Sequence, residues 1–315
     1  MLEHRLAVII VILTFLLLIL GGIVHNTGSS LACPDWPLCY GSLFPEMKGG
    51  VAIEHGHRLL AASVGLLSIV LAFLLSKRRK GDRLLRRIGW GAVFLVIFQG
   101  LLGGLTVIYR LPAAISTAHL ALSMLFFALV IVIAWRTSLT PLPLAGEGHD
   151  PSREPRRVRA WLLATTLLVY FQNLLGALVR HTGSGLACPD IPFCYGLLWP
   201  VGLHPSLTLH MAHRWNGILV ALFVLAVPWM ILREGQKDLR ICLLSLAALA
   251  LVLIQVGLGI GTVLTSLGVI TVTLHLGVAA LLLGTMVSLW MLSSSKPSLE
   301  CPQTGRSAHP GVNLS

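Results

Sequence analysis

Charged side chains are scarce in this sequence. Asp, Glu, Lys and Arg together make up 11% of the 315 residues, whereas hydrophobic residues make up 56%. About a quarter of the residues in an ordinary water-soluble domain are charged. The composition, with a mean hydropathy of +0.85, therefore excludes a soluble globular protein of this length. Acidic residues are scarcer than basic ones, with 12 Asp and Glu against 23 Lys and Arg.

The apolar residues instead form long uninterrupted runs. Each run has about 20 residues, the length that an α-helix needs to cross roughly 30 Å of hydrocarbon. The first run has no small-residue cleavage site and has an internal repeat partner, so we interpret it as a retained helix rather than a signal peptide. We therefore expect an all-α integral membrane protein with eight spans, at 7–24, 53–75, 88–109, 114–135, 160–179, 209–232, 240–264 and 269–292.

The basic residues alternate from loop to loop. They concentrate in 76–87, 136–159 and 233–240, whereas the long loops 25–52 and 180–208 carry few of them. By the positive-inside rule, both termini and the basic loops face the cytoplasm, and the two long loops face outside. The net charge of +11 then sets the orientation in a plasma membrane and does not indicate binding to nucleic acid.

Four cysteines lie in the two loops that we place outside. They form two pairs, Cys33 with Cys39 and Cys188 with Cys194, and each pair encloses five residues. An oxidising compartment permits a disulfide within each pair, although spacing alone does not fix the Cα separation. A redox-active dithiol and a zinc site made of all four cysteines are the alternatives.

An internal duplication organises the chain. Residues 27–41 and 182–196 share 12 identities in 15 positions, and an offset of 156 then aligns the two halves as far as the last span. Four helices per half give both halves the same orientation, so we expect a pseudo-two-fold axis along the membrane normal. The predicted parts are a first half (1–136), a cytoplasmic linker rich in Pro, Gly and charge (137–158), a second half (159–292) and a disordered cytoplasmic tail (293–315).

Two histidines occur in equivalent spans of each half. His57 and His119 are 62 residues apart, and so are His213 and His275. Two imidazoles on facing helices of a bundle can hold a haem iron from opposite sides. A hydrogen bond between helices would also satisfy a single buried histidine, but the recurrence of both pairs favours ligation. Small residues beside the ligands suit a flat macrocycle, namely Gly56, Ala118, Gly217 and Gly277.

One carboxylate breaks the repeat. Glu54 lies at the edge of a span, three residues before His57, and its repeat partner is His210. Residues three apart share a helix face, so Glu54 would reach a group bound at His57 and could move protons or stabilise positive charge there. The alternatives are an ion pair with Arg58 and an exposed position at the start of the helix, where negative charge is favourable. Arg58 and Arg214 follow the ligand positions directly and would bind haem propionates or extend towards lipid headgroups.

Together these motifs resemble one enzyme family, haem A synthase. The resemblance is carried by E-x-x-H-R at 54–58, H-R at 213–214, H-L at 119–120 and 275–276, and C-P-D-x-P-x-C in both long loops. It covers about 8–292, nearly the whole chain. No single motif is specific, but the combination is.

The resemblance implies a function and an assignment of sites. The enzyme would oxidise the C8 methyl group of haem O to a formyl group, giving haem A for terminal oxidases. His213 and His275 would hold a permanent haem b, whereas His57 and His119 would receive haem O, with Glu54 as the catalytic residue. Haem O synthase and a terminal oxidase would be its partners, with an electron donor that the sequence does not name. The long-loop cysteines would form the disulfides Cys33–Cys39 and Cys188–Cys194.

Two other functions use parts of the same pattern. A dihaem electron-transfer protein that accepts electrons from quinol explains both histidine pairs but not Glu54. A transporter explains the duplicated helices but neither histidine pair, and would normally carry more than one buried charge. His55 is a competing ligand for the first haem, but the repeat favours His57, and the roles of His55 and His210 stay open.

Overall fold

The computed structural model describes residues 1–138, 156–200, 204–233 and 238–293. Within these residues eight α-helices are long and apolar enough to span a membrane, and there is no extended strand. This confirms the predicted all-α membrane fold. The helices are α1 (Leu2–Asn26), α2 (Gly49–Arg78), α3 (Arg83–Ile108), α4 (Ala113–Thr137), α5 (Arg156–His181), α6 (Pro205–Arg233), α7 (Leu239–Leu264) and α8 (Val269–Leu292).

The predicted linker and tail fall largely outside the described residues. Residues 139–155 of the linker and 294–315 of the tail are not described. The two ends of the predicted linker are helical, because α4 continues through Thr137 and α5 begins at Arg156. The assignment of two domains stays a prediction.

Polar residues set where two equivalent helices begin. The Asp82 carboxylate accepts a hydrogen bond from the backbone nitrogen of Leu85 at 2.8 Å and caps α3. Asp238 accepts one from the nitrogen of Arg240 at 2.9 Å and caps α7. Such caps satisfy backbone N–H groups that the first turn leaves unpaired. Asp82 also pairs with Arg136 at 3.0 Å, which fastens the start of α3 to the end of α4.

The helices of each half contact one another in a ring. In the first half α1 packs on α2 and α4, and α3 packs on the same two helices; α5 to α8 pack in the corresponding way. Contacts between the halves run through α1, α4, α5 and α8. Apolar residues fill this junction, among them Phe127, Ile131, Leu283, Met286 and Leu289. The predicted axis along the membrane normal stays a prediction.

Each half carries a compact loop closed by a disulfide. Cys33 is bonded to Cys39 and Cys188 to Cys194, with Cα atoms 4.8 Å apart in both pairs. Because all four sulfurs are in disulfides, the zinc alternative is not realised in the structure. We call 27–48 the first disulfide loop and 182–200 the second, and the end of the bundle that they cover is the disulfide end.

Candidate functional site

The histidines of the first half lie against glycines of neighbouring helices. A Cβ added to Gly21 of α1 would lie 3.2 Å from Nε2 of His57, and one added to Gly103 of α3 would lie 3.4 Å from Cε1 of His119. Both imidazoles are half-buried. His57 on α2 meets α1, His119 on α4 meets α3, and these four helices form one ring. The structure therefore brings His57 and His119 together, each beside a backbone that carries no side chain.

The second half repeats this arrangement. A Cβ on Gly176 of α5 would lie 3.1 Å from Cε1 of His213, and one on Gly259 of α7 would lie 3.2 Å from Cε1 of His275. His213 on α6 thus meets α5, His275 on α8 meets α7, and these four helices form the second ring. The glycines that touch the rings lie on adjacent helices and are not the small residues next to the ligands in the sequence.

The four histidines fit a bis-imidazole haem site. Nδ1 of His119 and Nδ1 of His275 are buried and have no hydrogen-bond partner among the described residues. No hydrogen bond to the His57 ring is found in the described part of the chain either. A polar group inside a membrane needs a partner, and iron between paired imidazoles supplies one. The bare backbone at the four glycines lets each imidazole pack directly against a neighbouring helix.

Glu54 is buried and firmly held. Its side chain lies near the start of α2 with 4% of the residue exposed. Oε2 accepts a hydrogen bond from the backbone nitrogen of Cys33 at 2.8 Å, and Oε1 pairs with Nη2 of Arg58 at 2.6 Å. The ion pair that the sequence offered as an alternative is therefore present. It fixes the carboxylate on the helix that also carries His57.

Arg58 fastens the first disulfide loop to α2. Besides Glu54, its guanidinium donates to the carbonyls of Asp35 at 2.7 Å, Leu38 at 2.5 Å and Cys33 at 3.3 Å. These bonds direct it towards the loop, not outwards to headgroups. Its predicted contact with a haem propionate stays a prediction.

The second half keeps the arginine bonds to the disulfide loop but not the carboxylate. Arg214 donates to the carbonyls of Cys188, Asp190 and Phe193 at 2.6 to 2.7 Å. In the place of Glu54, His210 accepts from the backbone nitrogen of Cys188 through Nδ1 at 3.3 Å. The two halves therefore share one scaffold, and a neutral acceptor replaces the anion in the second half.

A second asymmetry holds one ligand in place. Nε2 of Gln172 donates to the carbonyl of His213 at 3.0 Å and lies 3.1 Å from its Nδ1. Asn216 donates to Oε1 of Gln172 at 2.8 Å. The repeat places Leu17 and Leu60 at the equivalent positions of the first half. Amides thus contact His213 at positions where the first half has leucines, a difference that is visible in the repeat but was not predicted from it.

His55 faces the disulfide of its own half. Nε2 of His55 lies 3.0 Å from the carbonyl oxygen of Leu43. The ligand atoms of Cys33, Cys39 and His55 all lie within 4.8 Å of one another. In the second half the equivalent residue is Met211, which packs against the other disulfide.

An aspartate organises each disulfide loop. Asp35 accepts hydrogen bonds from the backbone nitrogens of Tyr40 and Gly41 at 2.6 and 2.8 Å, and Asp190 accepts the equivalent pair in the second loop. The hydrogen bond from Gly41 is the main cause that lowers the pKa of Asp35 below its ordinary value. For Asp190 the bond from Gly196 is the main cause of a lowered pKa. Both loops are therefore built around an ionised carboxylate.

Comparison with known proteins identifies the family of the chain. Residues 4–287 match the family COX15-CtaA, which is described as cytochrome oxidase assembly protein. A haem A synthase of Shouchella clausii is 32% identical over 269 residues, which cover 83% of this chain and 86% of the relative. A haem A synthase of Lysinibacillus sphaericus is 29% identical over 88% of this chain and 91% of the relative. A haem A synthase of Symbiobacterium thermophilum is 33% identical over 69% of this chain and 72% of the relative.

Proposed function

The chain belongs to the COX15-CtaA family of cytochrome oxidase assembly proteins, and on that premise we propose that it is a haem A synthase. It oxidises the C8 methyl group of haem O to a formyl group and so makes haem A. Relatives similar to it along most of their length carry that name. A dihaem electron-transfer protein without a product is not favoured by those relatives.

The two haem sites have different roles in this proposal. His213 and His275 hold a permanent haem b, and His57 and His119 receive haem O as substrate. The observation that carries the assignment is the buried Glu54, whose counterpart in the second half is His210. A half that performs chemistry needs a group that moves protons, whereas a half that keeps its haem needs a fixed ligand. The amide of Gln172 at His213 agrees with the second requirement.

Glu54 serves the reaction as a held carboxylate. Oxidation of a methyl carbon removes protons and electrons from it and adds oxygen. Glu54 and His57 are three residues apart on α2 and share a face, so the carboxylate accepts a proton or stabilises positive charge beside the bound substrate. Arg58 and the backbone nitrogen of Cys33 hold it in one orientation. Haem b, when bound, supplies an electron-transfer centre.

We place the protein in the plasma membrane with the disulfide end outside. The opposite end carries the basic stretch between α2 and α3, with Arg78, Arg79, Lys80 and Arg83. Positive loops stay in the cytoplasm, and disulfides persist outside it. Both termini are then cytoplasmic.

The partners follow from the substrate and the product. Haem O is an apolar membrane-borne molecule, so a haem O synthase in the same membrane supplies it. Haem A passes to a terminal oxidase, and an electron carrier completes the reaction.

Haem extraction tests the proposal. Cells that make haem O but no haem A would receive this chain or an empty vector, and their extracted haems would be separated by chromatography. We expect haem A only with the chain. Folded, haem-loaded protein that yields no haem A in the presence of haem O and an aerobic respiratory chain would contradict the proposal.

A further inference from the structure

A group of basic side chains lies between the halves at the disulfide end. Arg180, near the end of α5, reaches α1 and donates through Nη2 to the carbonyl of Gly22 at 3.4 Å and to Oδ1 of Asn26. The ring of His25 meets that of His181 edge to face, with centroids 4.9 Å apart. We call Arg180, His25 and His181 the junction cluster.

The junction cluster has no acidic partner in the described part of the chain. Among the described residues no carboxylate forms an ion pair with Arg180, and its acceptors are one carbonyl and one amide oxygen. Arg180 is half-buried at the end of a span. Withdrawing a guanidinium from water is costly unless an anion compensates it, and an intramembrane cation is a functional signal by default. The arrangement indicates a site for an anion.

Two members of the cluster lie one helical turn beyond the glycines that touch the candidate ligands. Gly176 touches the ring of His213, and Arg180 lies four residues further along α5. Gly21 touches the ring of His57, and His25 lies four residues further along α1. Residues four apart on a helix share a face. Arg180 and His25 therefore lie on the helix faces turned to the ligands, one turn towards the disulfide end.

The other cations near the ligands are directed elsewhere. Arg58 donates to carbonyls of the first disulfide loop and to Glu54, and Arg214 donates to carbonyls of the second loop. A carboxylate on a haem would compete with those bonds. At Arg180 it would replace two neutral acceptors, the carbonyl of Gly22 and the amide of Asn26, and gain a charge-assisted hydrogen bond.

We propose that the junction cluster binds the propionate carboxylates of bound haem, with Arg180 as the principal donor and the imidazoles of His25 and His181 beside it. The proposal rests on the proposed function, because it takes haem as the ligand. A haem carries its two carboxylates at one edge, and the planar guanidinium fork matches a carboxylate. The cluster thereby orients the macrocycle at the boundary between the halves.

Haem with esterified propionates tests this site directly. The haem-free full chain in detergent would be titrated with ferric protohaem and with its dimethyl ester, and binding followed by the Soret absorption. We expect the unaltered chain to bind the free acid roughly tenfold to hundredfold more tightly than the ester, as for a charge-assisted hydrogen bond. Arg180→Gln should remove most of this preference by weakening binding of the acid alone, and Arg180→Lys should keep part of it.

Two further variants make the test specific. Asn26→Asp is nearly isosteric and places a protein carboxylate beside Arg180, so it should weaken binding of the acid but not of the ester. Arg110→Gln removes an exposed cation at the same end of the bundle. It should change neither the affinity for the free acid nor the affinity for the ester.

The outcomes separate the two proposals. An undiminished acid preference in Arg180→Gln would overturn the junction site, as would equal weakening of acid and ester in both Arg180→Gln and Asn26→Asp. Equal affinity of the unaltered chain for both haems would also overturn it, while leaving the haem function intact. Failure of the unaltered, folded chain to bind either haem would overturn the proposed function itself.

Discussion

The buried carboxylate of Glu54 accepts a hydrogen bond from the backbone nitrogen of Cys33, with 2.8 Å between Oε2 and N. Cys33 is also bonded to Cys39, so the first disulfide loop and the proposed catalytic group form one mechanical unit. Arg58 closes the unit by bonding both Glu54 and the loop. A covalent constraint outside the span thus fixes a carboxylate at its edge.

Replacing Glu54 by Gln should stop product formation without removing haem. The amide keeps the size of the side chain but carries no charge and accepts no proton. Loss of a positioned acid–base group lowers a rate by about 10²- to 10⁴-fold, so haem A in cell extracts should fall by at least about 10²-fold. The absorption of the purified variant should keep its low-spin haem signal. His210→Gln is the matched control and should retain activity; a fully active Glu54→Gln variant would exclude Glu54 as the catalytic group.

A side chain at Gly259 should displace haem from the second half. A Cβ there would lie 3.2 Å from Cε1 of His275, whereas one at Gly257 on the same helix meets no atom within 4 Å. Overpacking typically costs about 1–3 kcal/mol. Gly259→Val should therefore lower the haem content of purified protein, and Gly257→Val should not. Equal haem content in the two variants would show that the glycine is not needed beside the ligand.

The helices were predictable because a span needs a fixed length of apolar chain. Their ends were not, since polar residues continue a helix beyond its apolar part. Thus α2 begins at Gly49 and ends at Arg78, whereas the apolar run covers 53–75. The existence of a helix depends on composition, but its terminal turns depend on local bonds such as the Asp82 cap at the start of α3.

The candidate site was partly readable from the repeat. Duplication singled out the four histidines and the exchange of Glu54 for His210, because both are visible by aligning one half on the other. Gly21 and Gly176 also align, but their contact with the rings depends on the rotation of α1 and α5, which sequence does not fix. The bonds from Arg58 to the first disulfide loop depend on how that loop folds back over α2.

Replacing Gln172 by Leu should weaken the second haem site. Leu is the residue at the matching position of the first half, Leu17, so the change imitates a natural packing arrangement. It removes the amide contacts to His213 and leaves Asn216 without its acceptor. Mutation of a residue that orients a metal ligand typically lowers metal affinity about 10- to 100-fold. Haem titration of the variant should show a loss of that order in one of two sites; unchanged affinity in both would mean that Gln172 does not position the ligand.

Asp35→Asn should make the first disulfide loop less stable than that of the unaltered chain at neutral pH. At acid pH the two should not differ, because the unaltered chain has then lost its own anion. The pKa of Asp35 lies below its ordinary value because Gly41 and Tyr40 bond the carboxylate. A lowered pKa in the folded state means that the stabilisation is complete above the unfolded value of about 3.9 and is lost as the pH falls through the folded value. The asparagine variant lacks the anion at every pH.

The second loop, built in the same way on Asp190, is an internal reference in the same molecule. Mass spectrometry after brief treatment with a phosphine reductant would give the ratio of reduced Cys33–Cys39 to reduced Cys188–Cys194. In the Asp35→Asn variant this ratio should exceed that of the unaltered chain at pH 7. It should return towards the unaltered ratio once Asp190 is also protonated, because both loops then lack their anion. A ratio equal to that of the unaltered chain at pH 7 would show that Asp35 does not hold the loop closed.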